Sequence, residues 1–143
     1  KKLILFIATV IFFTFPNFSF FNPVSMKMNS DWLDLTTIDL QELIEENILF
    51  IDVTADWCAT CQFNKINVLN SQSIQEVFAQ YNVIKIRGDW TKPNTIIEKF
   101  LQRHKKFGIP FNIIYKKENP KGIILSELLS EKKILEAIKQ IKQ

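Results

Sequence analysis

Residues 48–63 read ILFIDVTADWCATCQF, and this stretch decides the fold. Ile48 to Ala55 form a near-continuous β-branched and apolar run, as expected of a strand covered on both faces. The only two cysteines of the chain, Cys58 and Cys61, follow at once. The segment ATCQFNKINVLN, 59–70, reads as the helix after the strand. The cysteine pair therefore stands where a strand ends and a helix begins, the end of an open α/β sheet at which function concentrates.

Strand-like and helix-like segments alternate on either side. Upstream, WLDL, 32–35, is a short strand, and Thr37 or Asp39 caps a helix through Glu46 with Leu40, Leu43 and Ile44 on one face. Downstream, Ser73 caps IQEVFAQY, 74–81, with Glu76 three residues later completing a capping box. NVIKIRGDW, 82–90, is the next strand. PNTIIEKFLQRHKKFG, 93–108, is a helix with Pro93 at its start and Gly108 near its end. FNIIYKK, 111–117, and GIILSE, 122–127, are strands joined by ENPK into a hairpin, and Ser130 caps a final amphipathic helix over 131–143. Helical crossovers imply parallel strands at the centre, and the hairpin adds antiparallel ones at an edge. The expected class is α/β: a central mixed sheet flanked by helices, in one domain over 32–143.

Composition agrees. The 143 residues hold few Gly and Pro and thirteen Phe, which argues against disorder. The net charge of +3 is small and the lysines are scattered, so no electrostatic footprint for nucleic acid is present.

The first residues stand apart. KKLILFIATVIFFTF, 1–15, sets two lysines before an apolar run that extends toward Phe21 only through Pro16, Asn17 and Ser19. Such a start suits a membrane anchor, or the last span of a larger membrane domain, ahead of a cleaved signal peptide or a buried helix. NFSFF, 17–21, is a poor cleavage site, and a chain that opens on Lys is expected to be a piece of something longer. The expected division is an anchor or signal segment over 1–21, a polar linker over 22–31 and the domain beyond. Lys1 and Lys2 favour the cytoplasmic side, which sets the domain in an oxidising compartment outside the inner membrane.

Three readings of the cysteine pair compete. Residues i and i+3 of a helix share a face, close enough for a disulfide. Cys58 at a helix N-terminus meets free N–H groups that favour a thiolate, and Cys61, one turn further in, is less exposed. An attacking thiol beside a resolving thiol is the layout that thiol–disulfide exchange requires. A structural zinc site normally needs four ligands, and only His104 could join the two cysteines, from a distant helix. A soft metal such as Cu(I) needs only thiolates and stays an alternative from another class. A purely structural disulfide closing so short a loop constrains the unfolded chain little.

FIDVTADWCATC, 50–61, resembles the active-site strand and turn of thioredoxin-like proteins. Together with GDWTKPNTIIEKFLQRHKKFGIPFNIIY, 88–115, it resembles most the C-terminal domain of DsbD-type thiol:disulfide interchange proteins, over roughly 32–141. That resemblance implies a thioredoxin-like fold and a protein-disulfide reductase without a metal or organic cofactor. It implies a membrane electron-donor domain that reduces the Cys58–Cys61 disulfide, and an extracytoplasmic partner whose disulfide this dithiol reduces, as in cytochrome c biogenesis. An oxidant or isomerase is the alternative direction, which Ala59 and Thr60 do not decide.

The resemblance gives roles to three more residues. Asp52, a carboxylate in an apolar strand, is either buried with a raised pKa or turned to an edge, and the family's acid at this place helps move a proton at the resolving cysteine. Pro110 matches the family's cis-proline opposite the cysteines, which leaves neighbouring backbone free to pair with an extended peptide. Trp57 is the expected apolar cover for the Cys58 sulfur. Lys65 departs from the pattern, where an acid is usual; it either stabilises the thiolate or points to solvent. Arg87 is a candidate partner for Asp52, and His104 a helix-end residue rather than a catalyst.

Overall fold

The computed structural model describes residues 32–143; the readings made for 1–31 lie outside the described residues. Five strands form one sheet in the order β1-β3-β2-β4-β5: β1 (Trp32–Asp34), β2 (Ile48–Thr54), β3 (Val83–Asp89), β4 (Phe111–Lys116) and β5 (Asn119–Ile124). β1, β3 and β2 run parallel, β4 is antiparallel to β2, and β5 is antiparallel to β4. This is the mixed sheet with a terminal hairpin that the sequence predicts. All seven residues of β2 are buried, as a central strand between two layers requires.

Alternation along β2 divides the core in two. Ile48 and Phe50 face one way, with Val68, Leu69, Ile74, Phe78, Ile134 and Ile138. Leu49, Ile51 and Val53 face the other, with Ile97, Phe100 and Leu101. Asp52 and Thr54 share the first face by the same alternation.

The helices are α1 (Leu40–Ile44), α2 (Ala59–Asn64), α3 (Gln72–Gln80), α4 (Thr95–Arg103) and α5 (Glu131–Ile141), with a π-helical turn over Lys65–Leu69 continuing α2. Ser130 caps α5 as expected. Several other boundaries differ from the sequence reading. Asp39 caps α1, accepting from Gln41 N at 2.8 Å, while the Thr37 hydroxyl turns back to Asp34 O. α1 stops short of Glu46, and the Asn47 amide donates to Leu43 O to close it. α3 is capped by Ser71, not Ser73, because Ser71 has the extended backbone of a cap and its oxygen meets Ile74 N. Glu76 accepts from Gln72 in place of closing a capping box.

α4 is capped by Asn94, whose Oδ1 accepts from Ile96 N and Ile97 N, so Pro93 precedes the cap. Gly108 plays no part in ending α4. Lys105 takes the left-handed conformation (φ 54°), and the N–H groups of Lys105 and Lys106 satisfy Gln102 O and Leu101 O. The hairpin turn is tighter than ENPK: Asn119 already pairs with Lys116, leaving Lys117 and Glu118 between the strands. Pro120 is tolerated inside β5 because β5 is an edge strand, where a missing N–H is least costly.

Candidate active site

The turn after β2 delivers Cys58 to the N-cap of α2. Its extended backbone (φ −90°, ψ 101°) is that of a residue just outside the helix, and its sulfur accepts the N–H of Cys61 at 3.2 Å. Cys58 Sγ and Cys61 Sγ are joined in a disulfide, with Cα atoms 5.2 Å apart. Cys58 keeps 8% of its surface exposed and Cys61 only 2%, so Cys58 is the more accessible of the two.

Loops converge on this pair. The Ile109–Pro110 peptide bond is cis, and Ile109 packs against the group formed by Ala55, Cys58 and Cys61. Phe111, just beyond Pro110, pairs with Val53 of β2, which brings the cis-proline loop to the cysteine end of the sheet. On the other side, Thr91 receives Asp56 N on its hydroxyl and the Trp57 indole N–H on its carbonyl, at 3.0 and 3.3 Å. Asn64, one turn beyond Cys61 and 1% exposed, donates to Glu127 O at 2.7 Å and accepts from Leu129 N at 3.0 Å. That amide ties the redox helix to the segment leading into α5.

Trp57 stands at the surface next to Cys58 in the chain. It is 64% exposed and held at its edge by Thr91, because the turn points it away from the core; the apolar side chain grouped with the sulfurs is Ile109.

Asp52 is buried at 3% exposure in the central strand, so the edge alternative is excluded. Arg87, its register partner on β3, makes a 3.5 Å ion pair with it and stacks its guanidinium 4.1 Å from the Trp32 ring centroid. Burial pushes the Asp52 carboxyl up to about 6, against the lowering pull of Arg87 and Lys65. Lys65 is half-buried, and its charge acts on Asp52 and Asp89. His104 caps α4 and hydrogen-bonds the Tyr115 hydroxyl inside an aromatic group with Phe100 and Phe111, away from the cysteines. It stands at the end of α4 as expected, and burial, with Arg103 nearby, lowers its pKa.

Sequence reasoning missed Ile109, Thr91, Asn64 and Asn112. Asn112 carried the signal that singled out Asp52, a polar residue inside an apolar strand; the other three are ordinary residues until the loops are folded.

A family model described as thioredoxin-like matches residues 40–117. No curated protein matches the chain. Among solved structures, the oxidised C-terminal domain of DsbD from Neisseria meningitidis is similar with a TM-score of 0.57 at 19% identity, over 66% of this chain and 80% of that one. Its reduced form gives 0.57 at 20% identity, over 71% and 86%. A thioredoxin variant from Halobacterium salinarum gives 0.54 at 16% identity, over 79% and 93%. At such identities the likeness speaks for the fold, and the chemistry rests on the cysteine pair, whose setting supports thiol–disulfide oxidoreductase activity. With the family match covering more than half of its length, the chain belongs to the thioredoxin-like family.

Proposed function

We propose that the protein is a protein-disulfide reductase that passes two electrons from a membrane electron donor to an extracytoplasmic protein disulfide. The observation that carries this reading is the Cys58–Cys61 disulfide at the start of α2, with the Cys61 N–H on the Cys58 sulfur. In the reduced protein the same N–H and the helix N-terminus stabilise negative charge on Cys58. That thiolate attacks one sulfur of the partner disulfide; a mixed disulfide forms, and the other partner sulfur leaves as a thiolate. Cys61 then gives its proton to the Asp52 carboxylate and attacks the Cys58 sulfur. The Cys58–Cys61 disulfide closes, and the partner departs with both sulfurs reduced. Re-reduction by the donor returns two electrons and the proton.

Asp52 suits the proton step because a carboxyl near 6 is mostly ionised at neutral pH yet still takes a proton readily. The cis-proline loop beside the disulfide suits the docking of an extended segment of the partner. No metal or organic cofactor enters these steps.

The reductive direction and the extracytoplasmic setting draw on the likeness to DsbD C-terminal domains and on Lys1–Lys2 before the apolar run. Among the described residues no helix is long and apolar enough to cross a membrane. The tether in this reading is the apolar segment over 1–21.

The test is the reduction potential of the pair in the full chain, read from the fluorescence of the exposed Trp57 across a graded dithiothreitol buffer. A single two-electron transition at or below roughly −200 mV supports a reductant, on the side of thioredoxin at about −270 mV. A value nearer −120 mV reverses the proposed direction, and the absence of a transition overturns the redox reading in favour of metal binding.

A further inference from the structure

Asn112 of β4 is the register partner of Asp52, as Arg87 is on β3. Opposed residues of neighbouring strands project from the same face, with Cβ atoms about 5 Å apart across an antiparallel pair. Arg87, Asp52 and Asn112 therefore form one polar row across the middle of the sheet. Asn112 is 0% exposed, and neither its Oδ1 nor its Nδ2 has a hydrogen-bond partner among the described residues. Thr54 Oγ1, two residues along β2 on the same face, is buried without one too, as is Nη2 of Arg87, whose Nε meets Asp52 Oδ2 in the 3.5 Å ion pair.

An amide in this condition is a cost to the fold, since a polar group buried unpaired has given up its water without a replacement. The other residues from Phe111 to Tyr115 are aliphatic or aromatic, so Asn112 is the one carboxamide in a buried apolar stretch. What the position offers is proximity to a carboxyl group that changes its proton. A carboxamide meets either form, since Nδ2 donates to a carboxylate and Oδ1 accepts from a protonated carboxyl. The charged groups acting on Asp52 are Arg87 from β3 and Lys65 from the π-helical turn, and Asn112 faces it as the neutral member from β4.

We propose that Asn112 is a positioning residue for the exchange reaction, its carboxamide orienting the Asp52 carboxyl for the proton exchanged with Cys61. The proposal rests on the reading of Asp52 as proton acceptor. Asn112 touches neither partner nor sulfur, and it acts through Asp52.

The test compares the full chain with Asn112→Leu, with Asn112→Val as a second apolar variant should the first not fold, and with Asn112→Thr, whose hydroxyl both donates and accepts. Asp52 is titrated by carbon-13 NMR, assigned through Asp52→Asn, and single-turnover reduction of a disulfide peptide is followed from pH 4.5 to 8. In the apolar variant the Asp52 midpoint is expected to rise by about one pH unit, with the acid limb of the exchange profile rising beside it, close to tenfold slower at pH 5. Asn112→Thr is expected to restore the profile. An Asp52 midpoint unchanged in a folded apolar variant overturns the proposal and leaves the exchange reading intact. A midpoint that moves while the exchange profile does not overturns the proton role of Asp52, and this proposal with it.

Discussion

Asp52 and Arg87 are register partners on adjacent parallel strands, and the 3.5 Å ion pair between them lies in the sheet beneath the redox helix. The pair is unequal: the Asp52 side chain is 4% exposed and the Arg87 side chain 23%, its face stacked on Trp32. Burial outweighs attraction, so the carboxyl is raised in spite of its cation.

This inequality sets a stability-against-pH prediction. Asp52 titrates at about 6 in the fold against an ordinary 3.8, so between these values the folded protein holds a proton that the unfolded chain has lost. Its contribution is most favourable below about pH 4 and is lost as pH rises through about 6, a swing of about 3 kcal/mol. Asp52→Asn removes that titration. Its thermal midpoint relative to wild type is expected to be higher at pH 8 than at pH 4 by several degrees, read by differential scanning calorimetry. An equal difference at both pH values contradicts a buried, raised carboxyl.

Arg87→Met tests the other side of the pair. Methionine keeps apolar volume against Trp32 and removes the charge that lowers Asp52. The Asp52 midpoint is expected to move further up, and partner reduction at pH 6.5 to slow several-fold while the rate at pH 8.5 changes little. An unchanged pH profile would mean that Arg87 matters only for packing.

The two cysteines are not equivalent, and single substitutions separate them. Cys58 is the more exposed and caps α2, so Cys58→Ser is expected to abolish attack on a partner disulfide. Cys61→Ser keeps the attacking thiol and lacks the resolving one, so a mixed disulfide is expected to accumulate, visible as a thiol-sensitive adduct by mass spectrometry. Adducts through Cys61 in Cys58→Ser would reverse the assignment.

The central strand, the cysteine turn, the hairpin and the final helix were legible in the sequence because each rests on local signals: a buried apolar run, a motif at a strand end, an amphipathic period. Asp52 and Asn112 were equally visible as polar residues in apolar strands, yet only Asp52 was singled out, because register places Asn112 beside it and register is a tertiary property. The helix ends were read less well. Ser71 and Ser73 offer the same chemistry two residues apart, and Lys105 takes a backbone conformation that composition assigns to Gly108. Ile109 was not legible because loop direction, not residue type, decides which apolar groups meet the sulfurs.

Asn64 gives the last prediction. Its amide joins α2 to the segment before α5 through Glu127 O and Leu129 N, bridging residues more than sixty positions apart at 1% exposure. Replacing it with leucine removes the Asn64 donor and acceptor and leaves both backbone groups without that partner, at a cost of about 2–4 kcal/mol. The sulfurs and the Cys61 N–H lie one turn before the substitution, and Ile109 reaches them from a different loop, so the attacking geometry is retained. Asn64→Leu is therefore expected to lower the urea midpoint markedly while single-turnover exchange at pH 7 and 25 °C stays within about threefold of wild type. A large loss of exchange in protein that is still folded would mean that the 127–129 segment holds the disulfide in register as well as holding the domain together.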